Sequence, residues 1–322
     1  MAQIAEELRI KGRREGMRLA WKGRASSWAT KAFIYLLLID ISFVFLFPVI
    51  YLITTSMKSV TDVIDPTVYW IPTKIEWNNF TLSWKALHFF DWNGWHAWPN
   101  SAALRSAEIA VAAAIGQVIS ASLVGYGFAR MKFPGRELLF MLAIFTFLVP
   151  PQTIIIPLFI VYKKLGWIDT YWPFIVPAFL ANGLRGTLFI FIFRQFFRGL
   201  PWELEDAARM DGAGPVTMYW RVMLPLAKPA IVVSFLFSLV WHWNDYFEPT
   251  IYLMSQEKFT LPLRLSIFWT GLDEITGGQA SRVFNEPLIM AASFLVIVPP
   301  LILYVFTQRL FVESVERTGL VE

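Results

Sequence analysis

The most chemically distinctive stretch of the sequence is a polar run, residues 200–229, that separates two strongly apolar stretches. Pro201 is followed by three acidic residues, which predicts the start of a short helix. Proline there lacks only a donor that would be unpaired, and the acids face the positive end of the helix dipole. Gly212 is expected to end that helix and Pro215 to begin a second one. Two short helices at an angle would form a surface on which a partner protein can dock.

The residue types of this run suit a docking surface better than a catalytic centre. Ala207 and Ala208 stand side by side and would let another backbone or side chain approach the first helix closely, whereas a bulky pair would hold a partner away. An ordinary surface helix–turn–helix is the alternative interpretation. The predicted docking residues are Glu205, Asp206, Ala207, Ala208, Asp211, Gly212, Leu224 and Pro225.

A second group of polar and aromatic residues could bind a solute. Residues 241–248 read WHWNDYFE, and rings that stack on C–H faces beside amides and carboxylates are what a polyhydroxylated solute requires. Arg185 lies inside an apolar stretch, where a charge costs roughly 3 kcal/mol or more unless it is paired or solvated. An interfacial aromatic belt with a helix cap, and a structural ion pair for Arg185, are the alternatives. The predicted pathway residues are Asn182, Arg185, Trp241, Trp243, Asn244, Asp245 and Glu248.

The composition places both groups in an integral membrane protein. Of the 322 residues, 56% are hydrophobic and 16% are charged, whereas a soluble domain has about 25% charged residues. The absence of cysteine excludes disulfides and a cysteine-based metal site or nucleophile. No phosphate-binding GxxxxGK[ST] loop occurs. We therefore expect a chain that is not an enzyme, binds no cofactor, metal or nucleic acid, and acts within the membrane.

Six apolar stretches predict an all-α protein with six transmembrane helices. About 20 residues of helix cross the roughly 30 Å hydrocarbon core, and each stretch is of about that length or longer. The second is rich in alanine and glycine, which lets membrane helices pack closely, whereas prolines interrupt the third and fourth. The predicted spans are, approximately, residues 32–57, 103–128, 138–161, 171–193, 230–248 and 287–308.

The distribution of positive charge predicts the orientation. The N-terminal segment 1–32, the loops at 129–137 and 194–228 and the C-terminus hold 18 of the 28 lysines and arginines. The positive-inside rule therefore places both termini and the polar run in the cytoplasm. The sequence divides into a basic tail (1–32), a six-helix domain (33–312) and a C-terminal tail (313–322). The basic tail is expected to lie on anionic lipid, or alternatively to be a solvated arm that only fixes the topology.

The polar run resembles the EAA loop of ABC importer permeases. That loop has an acid and two alanines, a glycine four residues later, and a hydrophobic-x-Leu-Pro ending. The chain departs from the pattern at Asp206, where glutamate is usual, and at Val222, where isoleucine is usual. Other stretches resemble landmarks of sugar-importer permeases: Ala129-Arg130 with Phe133-Pro134-Gly135, the Trp243-Asn244-Asp245 segment, and residues 259–263.

The resemblance implies the permease subunit of a binding-protein-dependent sugar importer of the maltose-permease type, with type I ABC importer architecture. It implies a second permease subunit, two copies of an ABC ATPase that use ATP and Mg, and an extracytoplasmic substrate-binding protein. The location implied is the prokaryotic cytoplasmic membrane. The EAA-like loop would be the coupling-helix loop on which the ATPases dock.

The substrate and two rival functions stay open at this point. A mono- or oligosaccharide is favoured by Trp243-Asn244-Asp245, while a polyol, a polyol phosphate or an acidic sugar are alternatives, and Arg185 would suit an anionic one. The partner permease could instead hold the substrate. One rival is an ion-coupled transporter using Asp40, Asp245 and Glu248. The other is a membrane scaffold without transport.

Overall fold

The computed structural model describes residues 2–90, 101–183, 185–278 and 285–319, and these residues form helices and connections without a β-strand. Residues 218–223 form a π-helical turn and residues 256–258 a 3₁₀ turn. The α-helices are α1 (Ala2–Ser56), α2 (Val60–Ile64), α3 (Asn78–Ala86), α4 (Ala102–Arg130), α5 (Arg136–Leu148), α6 (Pro151–Lys164), α7 (Trp172–Phe179), α8 (Gly186–Gly199), α9 (Glu203–Met210), α10 (Pro215–Thr217), α11 (Leu224–Leu226), α12 (Lys228–Asn244), α13 (Phe247–Tyr252), α14 (Leu261–Ser266), α15 (Phe268–Thr276) and α16 (Glu286–Gly319).

Apolar helices of membrane-spanning length occur at both ends of the chain and in its first half. Thr30–Ser56 of α1, all of α4 and Glu286–Arg309 of α16 are long and apolar enough to cross a membrane as continuous helices. Two further candidates are bent pairs: α5 with α6 at 99°, and Pro215–Leu226 with α12 at 76°. By length and composition, the described residues hold three continuous spans, or up to five if each bent pair is one span.

The predicted third and fourth spans are broken where prolines and a polar turn interrupt them. Pro150 and Pro151 separate α5 from α6, because proline lacks an N–H and its ring clashes with the preceding helical turn. The predicted fourth span is divided into α7 and α8, and Ala181 and Arg185 between them take left-handed backbone angles, with φ of 58° and 55°. The sequence thus predicted where these interruptions lie, but it predicted one helix for each span where the structure has two.

Helix α4 forms the centre of the bundle and packs against α7, α8 and α12. Its inward face carries fully buried small residues such as Ala113 and Ala121. A Cβ added to Gly125 would lie 2.6 Å from Cβ of Phe193 on α8, so only glycine allows this approach of the two helices. The prediction that the alanine- and glycine-rich span lies inside the bundle is confirmed.

The first and last long helices lie at the edge of the bundle. The apolar window of α1 is entirely exposed within this subunit, and only 22% of the window in α16 is buried. The main helical contact of α1 is with α16, and Tyr51 donates a hydrogen bond of 2.9 Å to Oε1 of Glu286. Both helices continue across the predicted boundaries with the tails, since α1 starts at Ala2 and α16 ends at Gly319.

Candidate functional site

The polar run forms a compact helical loop at one end of the bundle. Three acids occupy the first turn of α9, as predicted from the sequence, and Gly212 follows its end with a left-handed φ of 83°. The second predicted helix is composite, because the chain passes from α10 through the π-helical turn into α11 and ends at Leu226. Tyr219 of the π-helical turn joins the loop to the bundle: its hydroxyl lies 2.8 Å from Oγ of Ser122 on α4.

One side of this loop is exposed and combines acids with small and apolar residues. Asp206 is 70% exposed, and Ala207, Asp211, Gly212 and Pro225 are also exposed, whereas Ala208 and Leu224 are half-buried. Sequence reasoning missed the exposed apolar side chains of Met210, Val216 and Trp220, of which Met210 is 88% exposed. The sequence did contain a signal for them, because apolar residues within a polar loop indicate an interaction surface. We name this side the loop surface and define it by the exposed and half-buried side chains of residues 206–225.

Glu205 is not on the loop surface, although the sequence placed it among the docking residues. Its side chain is 1% exposed, and its carboxylate lies 3.4 Å from Nε of Arg130, at the end of α4, and 3.4 Å from Nη2 of Arg209. A buried carboxylate needs such partners, because an unpaired charge loses its hydration on burial. Glu205 therefore anchors α9 to the bundle instead of facing a partner.

Arg130 connects three elements at this end of the bundle. Its Nε donates to the carbonyl oxygen of Phe197 at 2.8 Å, and its Nη2 donates to the carbonyls of Phe197 and Leu200 at the end of α8. Its guanidinium carbon also lies 4.3 Å from the centre of the Trp202 ring. We name Arg130, Glu205, Trp202 and these two carbonyls the anchor cluster. The anchor cluster therefore links α9 to α4 and to the end of α8.

The predicted pathway residues Arg185 and Trp241 come together from two different helices. Arg185 caps α8, and its guanidinium carbon lies 4.4 Å from the centre of the Trp241 ring of α12. Asn182 is exposed in the same connection between α7 and α8, and its backbone N–H donates to Pro177 O at 2.8 Å. We name residues 180–183, 185 and 186 the α7–α8 break; Leu184 lies outside the described residues.

Gln117 lies behind the α7–α8 break and was not predicted from the sequence. Its side chain is fully buried in α4, and neither Oε1 nor Nε2 forms a hydrogen bond with another described group. A Cβ added to Gly183 would lie 2.6 Å from Oε1, and one added to Gly186 would lie 3.1 Å from Nε2. The sequence signal for Gln117 was a single amide side chain among the small apolar residues of the second span. The amide therefore faces the backbone of the break.

Trp243 is buried within the subunit, although the sequence placed it among the pathway residues. It is 7% exposed and packs in a core cluster with Phe268 and Leu288, while its Nε1 donates to Val296 O at 3.2 Å. The physical reason is helical geometry, because residues two positions apart lie on different faces of a helix. Trp241 contacts Arg185, so Trp243 necessarily points elsewhere.

The remaining predicted residues lie where α12 passes into α13. Asn244 is exposed at the end of α12, and Glu248 is half-buried in the first turn of α13. Asp245 acts as a helix cap, since its Oδ1 accepts from the backbone N–H of Phe247 at 3.1 Å and of Glu248 at 3.4 Å. Asp40, an acid of the rival ion-coupled mechanism, lies exposed on α1. Within the described part of the chain, no three His, Asp or Glu residues come close enough to hold a metal ion.

Comparisons with known proteins agree with this geometry. Residues 118–317 match the family described as "Binding-protein-dependent transport system inner membrane component". The chain is similar to the arabinooligosaccharides transport system permease protein of Halalkalibacterium halodurans, with 29% identity over 87% of this chain and 92% of that protein. It is 30% identical to the sn-glycerol-3-phosphate transport system permease protein of Yersinia pestis, over 66% of this chain and 70% of the other.

A solved structure is similar over most of its length. It is a crystal structure of a bacterial ABC transporter involved in the import of the acidic polysaccharide alginate, matched with a TM-score of 0.68 and 25% identity. The match covers 85% of this chain and 94% of that one. The fold seen here, with α4 at its centre and a helical loop at one end, therefore occurs in an importer.

Proposed function

Because the chain belongs to the family of binding-protein-dependent transport system inner membrane components, we propose that it is the permease subunit of an ATP-driven ABC importer for a sugar or oligosaccharide. An extracytoplasmic binding protein delivers the substrate, and ATPase subunits drive its passage. The observation that carries the proposal is the loop surface. It exposes small, acidic and apolar side chains on a helix that is fixed to the bundle from beneath.

The loop surface has the properties of a docking site for a protein. Asp206 and Asp211 flank small residues, and the exposed side chains of Met210, Val216 and Trp220 add apolar area that a partner can bury. Protein interfaces combine a buried apolar centre with a polar rim. We assign the loop surface to an ATPase, with Asp206, Ala207, Ala208, Asp211, Gly212, Leu224 and Pro225 as contact residues and Glu205 as their internal support.

The anchor cluster supports a role for this loop in coupling. A push on α9 reaches α4 through the Glu205–Arg130 pair and reaches α8 through the carbonyls of Phe197 and Leu200. Interlocked buried groups transmit displacement because packed interiors deform little. Nucleotide-driven movement of the ATPases would thus rock α4 and α8 as one body. The chain itself binds no cofactor in this proposal, and the ATPases use the ATP and Mg.

The complete importer contains further proteins in this proposal. A second permease subunit completes the pathway, two ATPase copies dock on the two loops, and the whole assembly lies in the prokaryotic cytoplasmic membrane with both termini inside. The exposed apolar faces of α1 and α16 support burial against lipid or the second permease. We place the substrate pathway beside Asn182, Arg185 and Trp241, with Asn244, Asp245 and Glu248 toward its outer end.

The substrate class is narrowed by the relatives only to sugars and related polyols. The relatives named above transport arabinooligosaccharides, sn-glycerol 3-phosphate or alginate by name, so both neutral and anionic solutes occur among them. We propose a saccharide or polyol for this chain.

The test of the proposed function is co-purification from the native host of the tagged chain and its Ala207→Arg and Gly212→Asp variants. The wild-type chain is expected to bring a second permease and an ABC ATPase. In each variant the amount of co-purified ATPase is expected to fall roughly tenfold or more, because both changes lie at the centre of the loop surface. Glu274→Arg, an exposed change on α15, is the matched control and should retain it.

Two results would contradict this proposal. A wild-type chain that purifies alone, or only with itself, would move the ion-coupled transporter to first place. Variants that retain substrate-stimulated ATP hydrolysis at the wild-type rate would remove the loop surface from the coupling mechanism.

A further inference from the structure

Arg185 lies at a depth where a charged side chain needs a specific environment. Helix α8 has 14 residues, so at 1.5 Å per residue Arg185 lies roughly 20 Å from the end of α8 that leads into residues 200–229. In the proposed importer that end lies at the cytoplasmic boundary of the membrane, so a hydrocarbon core about 30 Å thick includes Arg185. The side chain is exposed in the subunit. Because contact of a guanidinium with lipid chains is unfavourable, Arg185 must face either a wet pathway or an acid of another subunit.

The backbone of the α7–α8 break is built to present this side chain. Arg185 has φ 55° and ψ 29°, a left-handed conformation that residues other than glycine rarely adopt and that is found preferentially at functional sites. Oγ of Ser120 on α4 holds the end of α7 by donating to Ala178 O at 2.6 Å. A Cβ added to Gly186 would lie 2.7 Å from Ala181 O. The tight turn thus requires glycine at position 186. The left-handed conformation falls on the preceding residue, Arg185.

The contacts of Arg185 leave its hydrogen-bonding groups available. The guanidinium carbon lies 4.4 Å from the centre of the Trp241 ring, and this cation–π contact uses none of the N–H donors as a hydrogen bond. Among the described residues, Arg105, Arg130, Arg136, Arg194 and Arg209 each lie within ion-pair distance of a carboxylate, whereas no such pair includes Arg185. A guanidinium is planar, and its fork of N–H donors matches the two oxygens of a carboxylate or phosphate.

Gln117 provides a second, independent indication of a polar site. Its amide is fully buried, lies against the backbone of the break at Gly183 and Gly186, and forms no hydrogen bond within the described part of the protein. Buried amides of this kind are rare, because an unpaired polar group loses its hydration without compensation. The break therefore has a free amide on its inner side and a free guanidinium fork on its outer side.

We propose that Arg185, held against Trp241, binds the carboxylate or phosphate group of an anionic sugar or polyol as the substrate passes the α7–α8 break. This inference rests on the proposed function, since it needs a pathway beside α8 and α12. It narrows the substrate to anionic solutes, because a neutral sugar would leave the guanidinium charge without a counterion at this depth. A uronate oligosaccharide and a polyol phosphate carry the same chemistry, and the experiment separates them.

The experiment uses the complete importer, purified with its partner subunits and reconstituted into liposomes with its binding protein. Uptake and ATP hydrolysis are measured with three probes: oligogalacturonate, glycerol 3-phosphate and a neutral arabino-oligosaccharide. The variants are Arg185→Gln, Arg185→Lys and, as the matched control, Arg198→Gln, an exposed arginine at the opposite end of α8. The wild-type importer is expected to take up one of the two anionic probes, and the identity of that probe distinguishes carboxylate from phosphate.

Arg185→Gln is expected to reduce uptake of that probe about tenfold or more, because charge-assisted hydrogen bonds are lost. Arg185→Lys should retain part of the uptake, and Arg198→Gln all of it. The ATP hydrolysis rate without substrate and the co-purification of both partners should not change in Arg198→Gln.

Three results would overturn the inference while leaving the proposed function intact. The first is that only the neutral probe, or no probe, is taken up by the wild-type importer and stimulates its ATP hydrolysis. The second is that Arg185→Gln takes up the anionic probe at the wild-type rate. The third is that the second permease is lost from Arg185→Gln but not from Arg198→Gln. The last result would assign Arg185 to an ion pair between subunits. Absence of an ATPase from the wild-type preparation is a different failure and would contradict the proposed function itself.

Discussion

The two arginines Arg130 and Arg185 differ in how completely the surrounding protein satisfies them. Arg130 is 5% exposed and has a carboxylate, two backbone carbonyls and the Trp202 ring around its guanidinium. Arg185 is exposed and contacts the Trp241 ring, without an ion pair in the described part of the chain. A buried arginine with several partners fixes the fold, whereas an exposed one with free donors can exchange partners. In the function we propose, Arg130 belongs to the part of the molecule that transmits movement, and Arg185 belongs to the part that contacts the substrate.

The largest effect that would test this comparison is expected at the anchor cluster. Arg130→Met leaves the buried Glu205 without its partner on α4 and should reduce the free energy of unfolding by about 3–5 kcal/mol. Thermal unfolding in detergent, followed by tryptophan fluorescence, measures the change. Arg221→Gln, at an exposed position of the loop, is the control. Adding Glu205→Gln to Arg130→Met should recover part of the loss, and a stability of Arg130→Met equal to that of the control would show that the cluster does not hold the fold.

Asp169, in the connection between α6 and α7, is a third charged residue with partners inside the protein, and its contribution to stability depends on pH. The Asp169 carboxylate accepts from the backbone N–H groups of Met254 and Ser255, both at 2.9 Å, and from Nζ of Lys258 at 2.8 Å. Partial burial alone would raise the pKa of Asp169, but the hydrogen bonds from Lys258 and Ser255 outweigh it and hold the pKa well below its ordinary value. Like the Arg130 guanidinium, the Asp169 carboxylate thus has both charged and backbone partners within the protein.

The sign of the resulting pH dependence follows from the lowered pKa of Asp169. Its stabilisation is fully present above the ordinary pKa of about 4 and is lost as the pH falls below that value toward the folded-state pKa. The protection of the backbone amides of residues 253–258 from hydrogen exchange, relative to their intrinsic exchange rates at the same pH, is expected to be high at pH 7 and lower in acid. Asp169→Asn should exchange rapidly at pH 7 already, because the amide does not carry the charge that pairs with Lys258. Equal protection of the two proteins at pH 7 would contradict the assignment.

The smallest effect on stability is expected at Arg185. Its one described contact is the Trp241 ring, and a cation–π contact at an exposed site contributes about 0.5–1 kcal/mol. Arg185→Gln should therefore shift thermal unfolding by no more than this amount, measured in the same detergent as Arg130→Met. A loss as large as that of Arg130→Met would show that the protein uses Arg185 for its fold, which would remove the contrast between the two arginines.

Local patterns in the sequence predicted a large part of this structure. The Pro201 and Gly212 signals located α9, and the alanine and glycine content of residues 103–128 located the central helix. These features depend on neighbouring residues or on the composition of a single span, which a sequence displays directly. The extents of α1 and α16 beyond their spans were not predicted, because the change from apolar to charged residues marks a membrane boundary and not a helix end.

The contacts of the site depend on long-range pairing and could not be predicted in this way. Glu205 meets Arg130 across 75 positions of the sequence, and Arg185 meets Trp241 across 56. Gln117 gained its importance only once the glycines of the break were seen against it. Trp243 is different, because its two-residue offset from Trp241 on one helix already excluded a shared face.

The exposed first helix has a consequence for the biogenesis of the protein. Its main helical partner, α16, starts 230 residues after α1 ends, which takes on the order of tens of seconds of ribosome time. During that interval the newly inserted helix has lipid, translocon or chaperone as its neighbour. The Tyr51–Glu286 hydrogen bond is therefore among the last contacts to form, and it closes the subunit around its central helix.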